Sequence, residues 1–229
     1  MRRFHLGVVL AAILAVGVWV SLPVPVAGQV PPAIYRGPTD RPAVALACNV
    51  VWGTQLVPQI LQILAAGGAH ATFFVGGAWA AAQPDLVRQM VAAGHEVGNH
   101  GYGHRHQQLL SLADNESEME RTQAAVLSAA GVRPTLFAPP YGEHARVIDQ
   151  AALRLGLRVV YWTVDTVDWK RTRSAATITA TVLDRAGPGS IILIHPTDRT
   201  VAALPAIIAG LRERGLAVLT VSQLLAGHP

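Results

Sequence analysis

From residue 41 onward, short apolar runs alternate with stretches of helical period, and this alternation limits the fold more than any other feature of the chain. Residues 43–48 form a short apolar run that suits a buried strand. Residues 71–75, 96–99, 136–138, 158–163, 190–194 and 217–220 read the same way. Between them, residues 56–66 carry apolar side chains at helical spacing, with Pro58 tolerated in the first turn and Gly67-Gly68 ending the run. Helices are predicted over 84–93, 145–155, 175–186, 201–214 and, briefly, 222–225. Ser111-Leu112-Ala113-Asp114 has the form of a capping box with Asp in place of Glu, and it opens a helix that runs to Ala130. Seven strand candidates with helices between them predict an α/β fold, a distorted (β/α) barrel of about seven parallel strands in one domain.

The start of the chain reads differently. Met1 to His5 is basic, residues 6–20 are apolar, and small residues follow up to Ala27 and Gly28. This is the pattern of an export signal over 1–28, or of an uncleaved N-terminal membrane anchor. The protein is therefore expected to be exported, either secreted or membrane-anchored. Residues 29–42, rich in Pro and Gly, read as a linker, and 43–229 as the domain. Cys48 is the only cysteine, so no internal disulfide can brace an exported domain. The formal net charge is +4, and loss of Arg2 and Arg3 with the leader would leave +2. The arginines are scattered, without a basic stripe, which argues against a nucleic-acid partner.

In parallel barrels, chemistry gathers on the loops after the strands. Polar groups occur at five such places: Asn49, the pair His100 and His104, Tyr141, the pair Asp165 and Asp168, and His195. Four of the nine histidines fall between Gly94 and His106, and the four-residue step from His100 to His104 would let two imidazoles converge on one ion. A solvated His-rich loop is the alternative. His95-Glu96 with His100 imitates a metalloprotease helix, but the five-residue step would not place both rings on one helical face.

Several blocks together resemble the polysaccharide deacetylase family (the NodB-homology domain of carbohydrate esterases) over almost all of 41–225. They are Ala71-Thr72-Phe73-Phe74-Val75-Gly76-Gly77, Gly94-His95-Glu96-Val97-Gly98-Asn99-His100, Phe137-Ala138-Pro139-Pro140-Tyr141-Gly142, Trp162-Thr163-Val164-Asp165-Thr166-Val167-Asp168-Trp169, and Ile191-Ile192-Leu193-Ile194-His195. Residues 201–225 look like the tail of a sporulation-associated branch. The resemblance implies metal-dependent hydrolysis of the N-acetyl amide of an amino-sugar polymer, peptidoglycan or chitin-like. It implies His100 and His104 as metal ligands, His195 as the general acid, and Asp165 as the carboxylate that orients it. It also implies Tyr141 as an amide donor toward the oxyanion, Trp169 and Leu193 around the acetyl methyl, and Pro140 and Asp168 against substrate. For Trp169 and Leu193, ordinary core packing is the alternative.

The first block departs from the family pattern. Where the family has adjacent aspartates, this chain has Asn49 at the base position and Val50 at the metal-carboxylate position, and no Asp or Glu occurs from Val44 to Val57. The arginine that would pair with the base is Ala138. Asparagine takes no proton at neutral pH, and valine coordinates nothing. A divalent metal, zinc before others, is therefore expected to be weakly held or absent. Glu143, His144, His106 and Asp198 are candidates for a replacement ligand. The resemblance leaves three readings: an impaired hydrolase, a non-cleaving polysaccharide-binding module, or a structural wall or sporulation factor.

Overall fold

The computed structural model describes residues 31–226. Eight strands form one sheet in which every pairing between strands is parallel. They are β1 Ala43–Val50, β2 Ala71–Val75, β3 Glu96–Asn99, β4 Leu136–Phe137, β5 Arg158–Val159, β6 Val164–Asp165, β7 Ile191–Ile194 and β8 Ala217–Leu219. The helices are α1 Val57–Ala66, α2 Gly77–Ala82, α3 Pro84–Ala92, α4 Leu112–Ala130, α5 Arg146–Arg154, α6 Ala175–Arg185, α7 Asp198–Glu213 and α8 Val221–Leu225. The order across the sheet is β5-β4-β3-β2-β1-β7-β6, with β8 on the first residues of β1.

That order forces the sheet to curl. Laid flat, the edges β5 and β6 would stand about 29 Å apart at the usual strand spacing. Yet only residues 160–163 join them, which reach about 18 Å when fully extended. The two edges are not hydrogen-bonded to each other, so the result is a curled, open barrel. Of the strand expected over 158–163, only Arg158 and Val159 pair with β4; the chain then crosses the seam, and a strand that was not expected, β6, pairs with β7.

Residues before β1 help to span that seam. The Ile34 amide donates to the Val159 carbonyl (2.8 Å), the Ile34 carbonyl accepts from the Tyr161 amide (2.7 Å), and the Gly37 amide donates to the Gly189 carbonyl (2.8 Å). Ile34 is buried in the inner core. From Ile34 on, the stretch expected to be a linker is part of the domain, because its backbone groups find partners in the barrel. The expected leader, 1–28, lies outside the described residues. Among the described residues no helix is long and apolar enough to cross a membrane.

β1 shows how the two faces are used. Val44, Leu46, Cys48 and Val50 point outward into the large cluster under α1, α3, α6 and α7. Ala43, Ala45 and Ala47 point inward, where only small side chains fit beside Phe74, Ala138, Val160 and Ile191. Asn49 continues that inward row and so reaches the open end of the barrel.

Most helix bounds follow the sequence pattern. Helix α7 begins three residues earlier than expected, because Thr197 caps it by accepting from the Thr200 amide (3.1 Å). Helix α2 was not expected at all; its Gly and Ala residues carry little periodic signal.

His95, at the start of β3, is buried and accepts a hydrogen bond from the Ala71 amide at Nδ1 (3.3 Å). Burial, with nearby His70 adding to it, lowers its pKa from 6.5 to about 4. The folded state therefore favours the neutral ring, and the unfolded chain protonates first as the pH falls. The contribution of His95 is complete above pH 6.5 and is lost progressively towards pH 4. Urea midpoints should fall between pH 7 and pH 4.5, and His95→Gln should flatten part of that slope. A variant slope as steep as the native one would show that His95 takes no part.

Candidate functional site

The C-terminal ends of the strands open into a cavity of about 360 Å³. Asn49 of β1, Asp165 of β6, His100 and His104 after β3, Tyr141 after β4, and Leu193 and His195 at the end of β7 all line it. Trp169 lines it too, so both residues expected around an acetyl methyl lie on its wall. Trp52 and Trp162, to which the sequence reading gave no role, complete the aromatic wall. The signal for Trp52 was present, since an unusual tryptophan stands inside the altered first block.

Among the described residues, three other than glycine have left-handed backbones: His104 (φ 52°), Tyr141 (φ 59°) and Val167 (φ 52°). Each lies on a loop that carries cavity residues. Such conformations cost on the order of 1–3 kcal/mol and persist only where surrounding contacts impose them. The supports are visible. Buried Glu118 accepts from the amides of Tyr102 (2.9 Å) and Gly103 (2.7 Å), just before His104. The Tyr141 hydroxyl donates to the His104 carbonyl (3.2 Å), and Asp165 accepts from the Val167 amide (2.8 Å).

His195 is held from one side by Asp168. The carboxylate accepts from the His195 Nδ1 (2.7 Å) and amide (2.6 Å), and from the Thr200 hydroxyl. This corrects the expected pairing with Asp165. Asp165 caps its own loop through Val167, and the left-handed turn there brings the carboxylate three residues later beneath the imidazole. Asp168 is fully buried and does not face the cavity; Pro140 is buried beneath the wall as well. Both were expected against substrate, and both support the wall instead. On its other side His195 is stacked by Trp52, with ring centroids 5.5 Å apart and planes 8° from parallel. Gly53 makes this possible: at φ 72° its Cα lies so close to the Pro196 carbonyl that an added Cβ would clash.

The profile of the polysaccharide deacetylases matches residues 36–160. The chain belongs to the polysaccharide deacetylase family. It is 34% identical to the uncharacterised protein YlxY of Bacillus subtilis, over 85% of this chain and 61% of that one. It is 33% identical to the peptidoglycan-N-acetylglucosamine deacetylase PgdA of Listeria monocytogenes, over 84% of this chain and 41% of that enzyme. The chain thus spans about three fifths and two fifths of these relatives. Among solved structures, a CE4 family pseudoenzyme from Bacillus anthracis superimposes with a TM-score of 0.82 at 35% identity, covering 85% of this chain and 69% of that one. A mutant of the same pseudoenzyme with restored enzymatic activity matches equally well.

Deacetylases of this family are generally metal-dependent. Here the His100 Nδ1 donates to the Ala138 carbonyl (2.6 Å), which fixes the tautomer and leaves Nε2 with its lone pair. Burial, with His104 adding to it, lowers the pKa of His100 to about 3, and burial lowers that of His104 as well, so both rings are neutral at ordinary pH. Their centroids are 5.1 Å apart. The two imidazoles suit a metal; the rest of the donor set does not. Among the described residues no group of three or more His, Cys, Asp or Glu could hold an ion. The replacement ligands suggested by the sequence are engaged elsewhere or displaced. Glu143 accepts from the His106 ring (2.6 Å) and the Gln108 amide (3.1 Å), and the His144 ring pairs with the Tyr35 hydroxyl (3.0 Å). Asp198 lies in a separate cavity. Val50 is fully buried in the outer core and points away from the site. The residues present do not form the three-donor centre that the family resemblance implies.

At the base position, Asn49 is 4% exposed, and its buried Oδ1 has no hydrogen-bond partner. A buried polar atom without a partner is costly, and Asn49 carries that cost among the residues that line the cavity.

Proposed function

We propose that this chain binds an N-acetylated amino-sugar polymer of the cell wall, peptidoglycan or a chitin-like chain, and hydrolyses its amides far more slowly than ordinary members of the family. The observation that carries this reading is the state of Asn49, a neutral amide in place of the base. Asn49 accepts hydrogen bonds and takes no proton, so the site holds a ligand donor but does not activate water through it. The aromatic wall supports the binding half: Trp52, Tyr141 and Trp169 are 42%, 57% and 50% exposed, large faces on which sugar rings can stack. Kinship with a protein described as a pseudoenzyme supports the second half. Export by way of residues 1–28 would bring the pocket to the wall polymer.

His195 with Asp168 supports the residual hydrolysis in this reading, because recognition alone requires no such pair. In this role the imidazole would protonate a leaving amine, with its Nδ1 held by the buried carboxylate. Acetate release from chitin oligomers and from peptidoglycan should be lower than that of ordinary relatives by on the order of 10²–10⁴, the usual cost of losing a general base. His195→Ala should abolish any remaining release and leave co-sedimentation with insoluble wall polymer unchanged. Acetate release at ordinary family rates would overturn the proposal.

A further inference from the structure

Beyond the two tryptophans lies a second cavity, of about 610 Å³, which shares Trp52 and Trp169 with the first as a common wall. Its character is different. Its lining includes Gln55, Arg171, Asp198 and Arg199. Arg199 is anchored: its Nε and one terminal nitrogen donate to the Asp168 carbonyl (3.3 and 3.1 Å). Arg171 is exposed and makes no hydrogen bond or ion pair with any described residue. Lys170 lies over the Trp169 ring, 5.1 Å from its centroid, on the same rim. Two guanidiniums and one carboxylate leave the lining with a net positive charge, and the ammonium at the rim adds to it.

We infer that this second cavity is a subsite for a sugar that carries a carboxylate, next to the ring whose N-acetyl group occupies the first cavity. The inference rests on the polymer-binding reading above and names the substrate class: a glycan of N-acetylated sugars bearing acidic ether substituents, as in peptidoglycan, in preference to a neutral chitin chain. Two observations point there. Trp52 and Trp169 line both cavities, so a chain stacked on them reaches from the first towards the second. Arg171 and Arg199 line the second cavity, and guanidinium is the group that matches a carboxylate with two parallel hydrogen bonds. A neutral sugar offers Arg171 only uncharged acceptors; an acidic one offers a carboxylate, whose charge-assisted hydrogen bonds are stronger.

Tryptophan fluorescence titration of the full chain separates the possibilities. The probes are chitin oligomers and peptide-free peptidoglycan glycan strands of equal length. The acidic strand should bind about tenfold more tightly at low salt, and raising the salt should remove most of that preference. Arg171→Ala should weaken the acidic strand about fivefold and leave the chitin oligomer unchanged. Asp198→Asn, which removes the one like charge, should strengthen the acidic strand. Equal affinity for both probes, or an Arg171→Ala effect of the same size on each, would overturn the subsite while leaving polymer binding intact. Binding of neither probe would overturn the polymer-binding reading, and the subsite with it.

Discussion

Asn49→Asp combined with Ala138→Arg should raise acetate release by on the order of 10²–10⁴ over the native chain, the range by which a positioned general base accelerates a reaction. Asparagine and aspartate have the same shape, and Asn49 already lines the cavity with an oxygen that no other group uses. The new carboxylate would be buried, however, and a buried charge without a partner is destabilising by several kcal/mol. The family resemblance places an arginine at position 138 to compensate that charge. Asn49→Asp alone should therefore gain less and melt lower than the double variant. Val50→Asp, which the sequence pattern also recommends, should not help. Val50 pairs with Val75 in the sheet and packs in the outer core, so an aspartate there would bury a charge among apolar side chains, on the wrong face of β1. A rate measurement in which the double variant shows no gain would mean that the pocket has diverged beyond its base. A gain from Val50→Asp would mean that β1 ends earlier than its pairing with β2 indicates.

The largest expected loss of stability comes from Asp168→Ala. Three donors converge on that carboxylate: the amide and ring of His195 and the Thr200 hydroxyl. Removing it leaves all three unpaired in a fully buried place, at a cost of about 3–5 kcal/mol. For a domain of this size each kcal/mol lowers Tm by about 2–4 °C, so the melting temperature should drop by roughly 6–20 °C. Asp165→Ala is the matched control. Its carboxylate has the Val167 amide for a partner, and one such hydrogen bond is worth about 1 kcal/mol. Thermal melts followed by circular dichroism would compare the two directly. If Asp165→Ala proved the more damaging, the assignment of Asp168 as the partner of His195 would be wrong.

The sequence by itself determined the parallel α/β architecture, most element positions and the gathering of His100, His104, Tyr141 and His195 at one end of the barrel. The reason is local: apolar periodicity reports burial within a few residues, and in a parallel sheet every loop after a strand opens on the same side. The altered first block was equally legible, because the family pattern that the other blocks resemble has carboxylates where this chain has Asn49 and Val50. Only the tertiary structure decided which way individual side chains face. Asp165 and Asp168 are three residues apart, and the left-handed turn at Val167 selects the second as the partner of His195. Asn49 and Val50 are neighbours, yet one faces the cavity and the other the outer core, because alternate side chains of a strand leave on opposite faces. The run at 158–163 looks like one strand, but only Arg158 and Val159 join the sheet there, and the chain crosses the seam before pairing on the other edge at Val164 and Asp165. Trp52 became part of the site only through the close approach of Gly53 to Pro196, a contact between segments more than a hundred residues apart. Such meetings depend on the path of whole loops and leave no periodic trace in the chain.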